Sequence, residues 1–323
     1  MPNRFAPALT CAAWLAAGAA LAQPAPGSAP PVAPVTVVAP AEPKMIEEQA
    51  RAFVQSLSSV GNPELNQIGR WHDAVCVTVV GLPRDDQAAQ IKARIEGVAH
   101  AVGLPAARPG CSANVEIVFN PQPQHVMDIV AKRREYLLGY YHFHDQNRLK
   151  TVSQPIQSWY VTSTSAFTGS ATAAVTGIPL SVRGLPTHRM GVIDDPENGG
   201  PSGCGDTPHF TACLTSAFEN VFIVADSKTL EGRPLSQVAD DMAMLALSKP
   251  RNLDGCAALP SVIDGFAKAP CPGREPADSL TPADASYLTA LYAADAEAFR
   301  QFQQSEIADR MATILIKAST AGR

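Results

Sequence analysis

The first 22 residues constrain this chain most, because they predict the compartment in which the rest must fold. Arg4 gives a positive start, an apolar run rich in alanine and leucine follows, and Ala20-Leu21-Ala22 has the small-x-small pattern of a cleavage site. The apolar run is too short for a membrane span. We therefore expect residues 1–22 to be a secretory signal peptide, although a retained N-terminal helix is the alternative. The mature protein is then periplasmic or extracellular.

The cysteine content agrees with export. Cys11 lies in the leader, and an even number of cysteines follows it, which in an exported chain predicts a disulfide framework. Pairing between nearest neighbours is the simplest arrangement. It predicts the disulfides Cys76–Cys111, Cys204–Cys213 and Cys256–Cys271.

The segment behind the leader and the net charge limit the remaining possibilities. Residues 23–43 contain seven prolines, a density that favours an extended, solvated linker. Without the leader the chain has 24 basic and 30 acidic residues and no basic block, which argues against nucleic acid as a partner. Since no second linker or repeat is visible, residues 44–323 are predicted to form a single domain.

Hydrophobic periodicity predicts an α+β fold for that domain. Residues 72–120 contain two β-branched runs, "AVCVTVVGL" and "NVEIVFN", on either side of a helical apolar stripe. The economical arrangement is a pair of parallel strands with a covering helix. Farther along, "ENVFIVADS" predicts a strand, which leads directly into the predicted helix "SQVADDMAMLAL". In "LTPADASYLTALY" a helix is predicted to start with Thr281 as N-cap and Asp284 at N3.

The order of the C-terminal segments resembles a known family. The strand "ENVFIVADS", the helix "QVADDMAMLAL", the turn "LPSVIDGF" and the helix "LTPADASYLTALY" resemble the matrixin branch of the metzincin zinc proteases. They resemble still more closely exported bacterial proteins of unknown function that share this layout without an intact zinc motif. The resemblance covers residues 70–295. It implies a zincin-like fold, in which a mixed sheet packs with helices, and a substrate cleft bordered by residues 219–227 as an edge strand.

The zinc-binding residues of that family are missing from this chain. Two histidines four residues apart lie on one helix face and bind one zinc ion, and an adjacent glutamate acts as general base. The resemblance puts Gln237, Asp241 and Leu247 at the ligand positions and Val238 at the glutamate position. An amide and one carboxylate make a poor zinc site, and valine carries no proton. We therefore expect no metal and no other cofactor.

Two groups of residues remain as site candidates. Gln237, Asp240 and Asp241 form the polar side of the helix and are candidates for the floor of a binding cleft, although carboxylates near a helix start also offset its dipole. In "YYHFHDQNR", His142 and His144 would lie on the same side of a strand and are weak candidates for metal ligands. A packed strand or turn is the alternative there.

These features favour an exported, non-catalytic protein that binds a peptide, a protein or a cell-envelope component in a protease-like cleft. The alternative is a divergent metallopeptidase or another cell-envelope hydrolase that uses His142 and His144, or scattered histidines that only folding brings together. A structural envelope protein is the third possibility. None of the three is expected to span a membrane.

Overall fold

In the computed structural model, strands and helices alternate through the first half of the domain and helices dominate the second half. The structure describes residues 42–61, 65–139, 143–166, 174–175, 214–228, 231–251 and 253–321. The strands are β1 (Val77–Val80), β2 (Val115–Asn120), β3 (Ile156–Ala166), β4 (Ala174–Val175) and β5 (Leu214–Asp226). The helices are α1 (Pro43–Leu57), α2 (Asp85–Ala101), α3 (Pro123–Arg133), α4 (Phe143–Leu149), α5 (Leu235–Leu247), α6 (Pro282–Ala293) and α7 (Arg300–Ala321). The predicted leader lies outside the described residues.

The described strands form one mixed sheet in the order β1-β2-β5-β3-β4. β1 and β2 are parallel, with Val77 opposite Val115, and α2 connects them, which confirms the predicted strand–helix–strand unit. β2 also runs parallel to β5, whereas β3 pairs antiparallel with β5 and β4. The fold is thus a mixed α+β arrangement, as the sequence predicted at that level.

β5 lies inside the sheet and not at its edge. β2 pairs with one side of it along residues 221–226, and β3 pairs with the other side along residues 214–225. The expectation that residues 219–227 form an edge strand is therefore wrong. The reason is the length of β3, whose 11 residues cover the side of β5 that the expectation left open. Because the backbone groups of residues 221–225 are engaged on both sides, they cannot bind a ligand as an added strand.

Both faces of the sheet are covered, which explains the continuous apolar run in β5. Val221, Ile223 and Ala225 belong to the main core, which includes buried residues of α1, α2, α5, α6 and α7. Phe222 and Val224 point to the opposite face and pack in a smaller cluster with Met127, Leu138 and Trp159. The rings of Phe222 and Trp159 stack with their centroids 5.1 Å apart.

Two of the three predicted disulfides are confirmed. Cys76–Cys111 joins the start of β1 to the segment that leads into β2, and Cys256–Cys271 closes the connection between α5 and α6. The predicted pair Cys204–Cys213 lies outside the described residues. None of the helices that the structure describes has both the length and the apolar composition needed to cross a bilayer.

Candidate functional site

Helix α5 is the central element of the candidate site, and it is buried on every side. It starts after Pro234, and each residue from Gln237 to Leu247 is buried. Its alanines, leucines and methionines favour a helix. The helix ends at Ser248, whose hydroxyl donates to the carbonyl of Met244 at 2.7 Å. Asp240 and Asp241, on the predicted polar side of α5, therefore face other parts of the protein instead of bulk solvent.

An open cleft of about 810 Å³ lies beside the first turns of α5. We call it the β5 cleft, because Asp226, the last residue of β5, forms part of its lining. Arg233 contributes from the segment before α5 and Gln237 from its first turn, and the remaining lining comes from residues 123, 152–155, 265, 275, 276 and 278. Ligands of open α/β sheets commonly bind outside the carboxyl ends of parallel strands, which is where this cleft lies.

Gln237 is the one predicted cleft residue that lines the β5 cleft. Its side chain is more than nine-tenths buried, and its Nε2 donates to the carbonyl oxygen of Ala277 at 2.9 Å. This bond fixes the orientation of the amide. Oε1 accepts no hydrogen bond from the part of the chain that the structure describes, so it is the amide atom available to a ligand.

Asp240 has a structural role that the sequence did not reveal. It is 2 % exposed and accepts hydrogen bonds from Nε of Arg94 and from the backbone N–H of Leu280, the latter at 2.9 Å. Arg94 belongs to α2, and Leu280 lies just before α6. The carboxylate thus connects α5 to two neighbouring segments of the core.

Asp241 is fully buried behind the cleft. Its Oδ2 lies 2.7 Å from Nη2 of Arg233, while its buried Oδ1 has no hydrogen-bond partner among the residues that the structure describes. Burial raises the pKa of Asp241 to about 7. The nearby charge of Arg233 lowers this pKa in part, and the charges of Asp240 and Asp284 raise it further.

A third buried carboxylate, Asp284, connects the "LPSVIDGF" turn to the start of α6. Asp284 accepts hydrogen bonds from the hydroxyl of Ser261 and from the backbone N–H groups of Val262 and Thr281, both at 3.0 Å. It also completes the capping box at the start of α6 with Thr281, so the predicted helix start is confirmed. The side chain of Asp284 therefore connects the "SVID" turn to the "LTPAD" segment at the start of α6, beside α5.

Only one of the two candidate histidines, His144, lies within the described residues. His142 lies outside the described residues, and His144 belongs to helix α4. The strand considered for this segment is thus not found at His144, where the spacing of a helix applies instead, and the weak candidacy of His142 and His144 as metal ligands stays a prediction. Within the described ranges, no three His, Cys, Asp or Glu side chains form a group that could hold a metal ion.

Sequence reasoning missed most of the polar lining of the β5 cleft. Asp226 could have been found, since it lies at the carboxyl end of the predicted strand "ENVFIVADS", and the carboxyl ends of strands are usual binding positions in open α/β sheets. Glu275 and Asp278 lie in the proline-containing connection before α6, where no periodicity indicates a site. Arg233 gave no signal either, because its partner Asp241 is recognised only in the folded chain.

Comparison with known proteins adds no relative to this description. No protein-family model matches the chain, and neither the comparison with curated proteins nor that with solved structures finds a match. The functional argument therefore depends on the site itself.

Proposed function

We propose that this chain is an exported, non-catalytic protein with a zincin-like fold, and that it binds a peptide or a segment of a partner protein in the β5 cleft. The two disulfides and the leader sequence support export, because disulfides persist in oxidising compartments. The layout of β5, α5, the "SVID" turn and α6 supports the fold assignment.

One observation carries the proposal for the site. The cleft is open beside Gln237, while both carboxylates of α5 are buried and engaged by arginines. Asp241, which the resemblance puts at a zinc-ligand position, accepts a hydrogen bond from Arg233 and does not line the cleft. The site therefore offers a ligand an acceptor and a concave surface, which suits binding better than hydrolysis.

The test is selection of linear peptides from a displayed library on the exported, purified protein. Ser153 is exposed and lines the cleft, so Ser153→Trp fills it without disturbing a hydrogen bond described there. Thr313→Trp on the exposed side of α7 is the matched control. Peptides that bind the wild type and the control but not Ser153→Trp support the proposal. Failure to select any peptide, or equal binding to all three proteins, contradicts it.

A second candidate function, a divergent hydrolase, is the alternative that the sequence left open. Burial raises the pKa of Asp241 to about 7, but this carboxylate is enclosed and does not line the cleft, so its pKa by itself gives it no contact with a substrate. Peptidase and esterase assays on the wild type and on Asp241→Asn test this candidate, together with metal analysis of the wild type and of a His142→Ala, His144→Ala variant. Hydrolysis that is abolished by Asp241→Asn in a folded protein would replace the binding proposal with this one.

A further inference from the structure

The C-terminal end of helix α3 carries a run of exposed cations, although the chain as a whole is acidic. Lys132 and Arg133 lie in the last turn of the helix, and Arg134 follows as its C-cap residue. All three residues are exposed. Since the full chain has a formal net charge of -5 at pH 7, this end of α3 has the opposite sign to the molecule as a whole.

The charges of these three side chains are not neutralised within the protein. The side chains of Lys132 and Arg133 make no hydrogen bond or ion pair with any residue in the part of the chain that the structure describes. Arg134 donates from Nη1 to the hydroxyl of Tyr136 at 2.9 Å, and this uncharged partner leaves the charge of the guanidinium in place. All three cations are therefore available to an external anion.

The carboxylates nearest to them along the chain do not remove this excess of positive charge. Glu135 pairs with Lys150, whose Nζ lies 3.0 Å from Oε1 of the glutamate. Asp128 accepts a hydrogen bond from Nε2 of Gln124 at 2.8 Å and makes no ion pair with a described residue. When Asp128 is counted, three cations still face one carboxylate, so the end of α3 remains positive.

An exposed isoleucine lies beside these cations on the same helix. Ile129 is 42 % exposed. Residues three and four positions apart are neighbours on an α-helix, so Lys132 and Arg133 both flank Ile129. Cations in a last turn offset the helix dipole, but this does not account for an apolar side chain between them. We call the surface formed by Ile129, Lys132, Arg133 and Arg134 the α3 patch.

The combination of cations and an apolar side chain fits the surface of an anionic lipid bilayer. Lysine and arginine are attracted to the phosphates of anionic lipids. An apolar side chain on the same surface enters the boundary between the headgroups and the acyl chains. An acidic protein or a second copy of this chain would satisfy the cations of the α3 patch, but its charged surface would offer no apolar layer to Ile129.

We propose that the α3 patch docks this protein reversibly on anionic membrane surfaces, with its three cations at the lipid phosphates and Ile129 among the headgroups. Each cation contributes about five-fold in affinity, so three cations and one isoleucine give half-saturation at about 1 mM lipid. The patch is separate from the β5 cleft, which Pro123 lines at the opposite end of α3. The proposal therefore concerns where the protein is held and not what the cleft binds.

The experiment is co-sedimentation of the exported, purified protein with vesicles of phosphatidylcholine, either pure or mixed with phosphatidylglycerol. The patch variant is Lys132→Gln, Arg133→Gln. The control Lys44→Gln, Arg51→Gln removes the same charge from exposed positions on α1. We expect binding only to the vesicles with phosphatidylglycerol, about twenty-fold weaker for the patch variant and unchanged for the control. Raising the salt from about 20 mM to about 150 mM should weaken the binding of the wild type.

A second pair of variants tests the insertion of Ile129. Ile129→Ser should weaken binding to the anionic vesicles about five-fold, because the apolar side chain no longer leaves water on docking. Ile314→Ser is the matched control, since Ile314 is 36 % exposed on α7 and outside the α3 patch. If Ile129→Ser binds as tightly as the wild type, the proposed insertion is wrong.

The other outcomes overturn the proposal in distinguishable ways. Equal binding to both kinds of vesicle, no binding, or equal weakening by the two charge variants refutes docking through the α3 patch. Self-association in the absence of lipid that Lys132→Gln, Arg133→Gln abolishes would assign the patch to a contact between copies. Inorganic phosphate that displaces the protein better than chloride at the same ionic strength would assign it to free phosphate. Ser153→Trp, which fills the β5 cleft, should leave vesicle binding unchanged, and a loss there would refute the separation of patch and cleft.

Discussion

Replacing Asp241 by asparagine should change how the stability of this protein depends on pH. Asp241 ordinarily titrates near 3.8, but burial raises its pKa to about 7 in the folded protein. Between these two values the folded state binds the proton more tightly than the unfolded chain does. Protonation therefore favours the fold, and the free energy of unfolding falls as the pH rises through this window, by up to about 1.4 kcal/mol for each unit of pH.

The full effect follows from the gap between the two pKa values. That gap corresponds to about 4 kcal/mol by which the charged carboxylate destabilises the folded state. This destabilisation is absent below pH 4 and complete above pH 7. Asparagine has nearly the same shape, keeps an acceptor for Arg233 and carries no charge. As the pH rises from 4 to 8, we expect the free energy of unfolding of Asp241→Asn to increase by about 4 kcal/mol relative to that of the wild type.

The assay is urea unfolding of the wild type and of Asp241→Asn at several pH values from 4 to 8. The informative quantity is the difference between the two proteins, because other groups titrate in the same range. His72 is one of them, since burial lowers its pKa to about 4 and opposes the trend from Asp241. Asp309→Asn, at an exposed position on α7, controls for the change in net charge. A difference between Asp241→Asn and the wild type that stays constant across this range would refute the reasoning.

Two further predictions concern the segments around α5. Asp284→Ala should lower the free energy of unfolding by about 2–4 kcal/mol, because it leaves the donors of Ser261, Val262 and Thr281 without their buried acceptor. Denaturant unfolding measures this loss. A change within experimental error would contradict the role of Asp284. Replacing Cys256 and Cys271 by serine should lower the free energy of unfolding by about 3 kcal/mol, since this disulfide closes a loop of 15 residues. Denaturant unfolding without reductant measures the loss, and an unchanged free energy of unfolding would contradict the stabilising role of the bond.

Local patterns in the sequence were sufficient to predict several secondary-structure elements and two disulfides. The unit β1-α2-β2 follows from the change between strand and helix periodicity within residues 72–120. The start of α6 follows from Thr281 and Asp284, since a capping box depends on residues three positions apart. The disulfides Cys76–Cys111 and Cys256–Cys271 join cysteines that are neighbours in the chain, so the simplest pairing was correct.

Other features were decided only by contacts between distant parts of the chain. The interior position of β5 depends on its pairing with β3, and nothing within residues 214–226 indicates which strands will lie beside them. Helical periodicity placed Asp240 and Asp241 on the polar side of the helix. Their burial depends on Arg94 and Arg233, which the fold brings to α5. The β5 cleft likewise combines Gln237 with residues from several connections. The sequence by itself determined the local elements and two of the cross-links, because their physical causes act between near neighbours. The tertiary structure decided the sheet order, the burial of the carboxylates and the cleft, because those causes act between segments that only folding brings together.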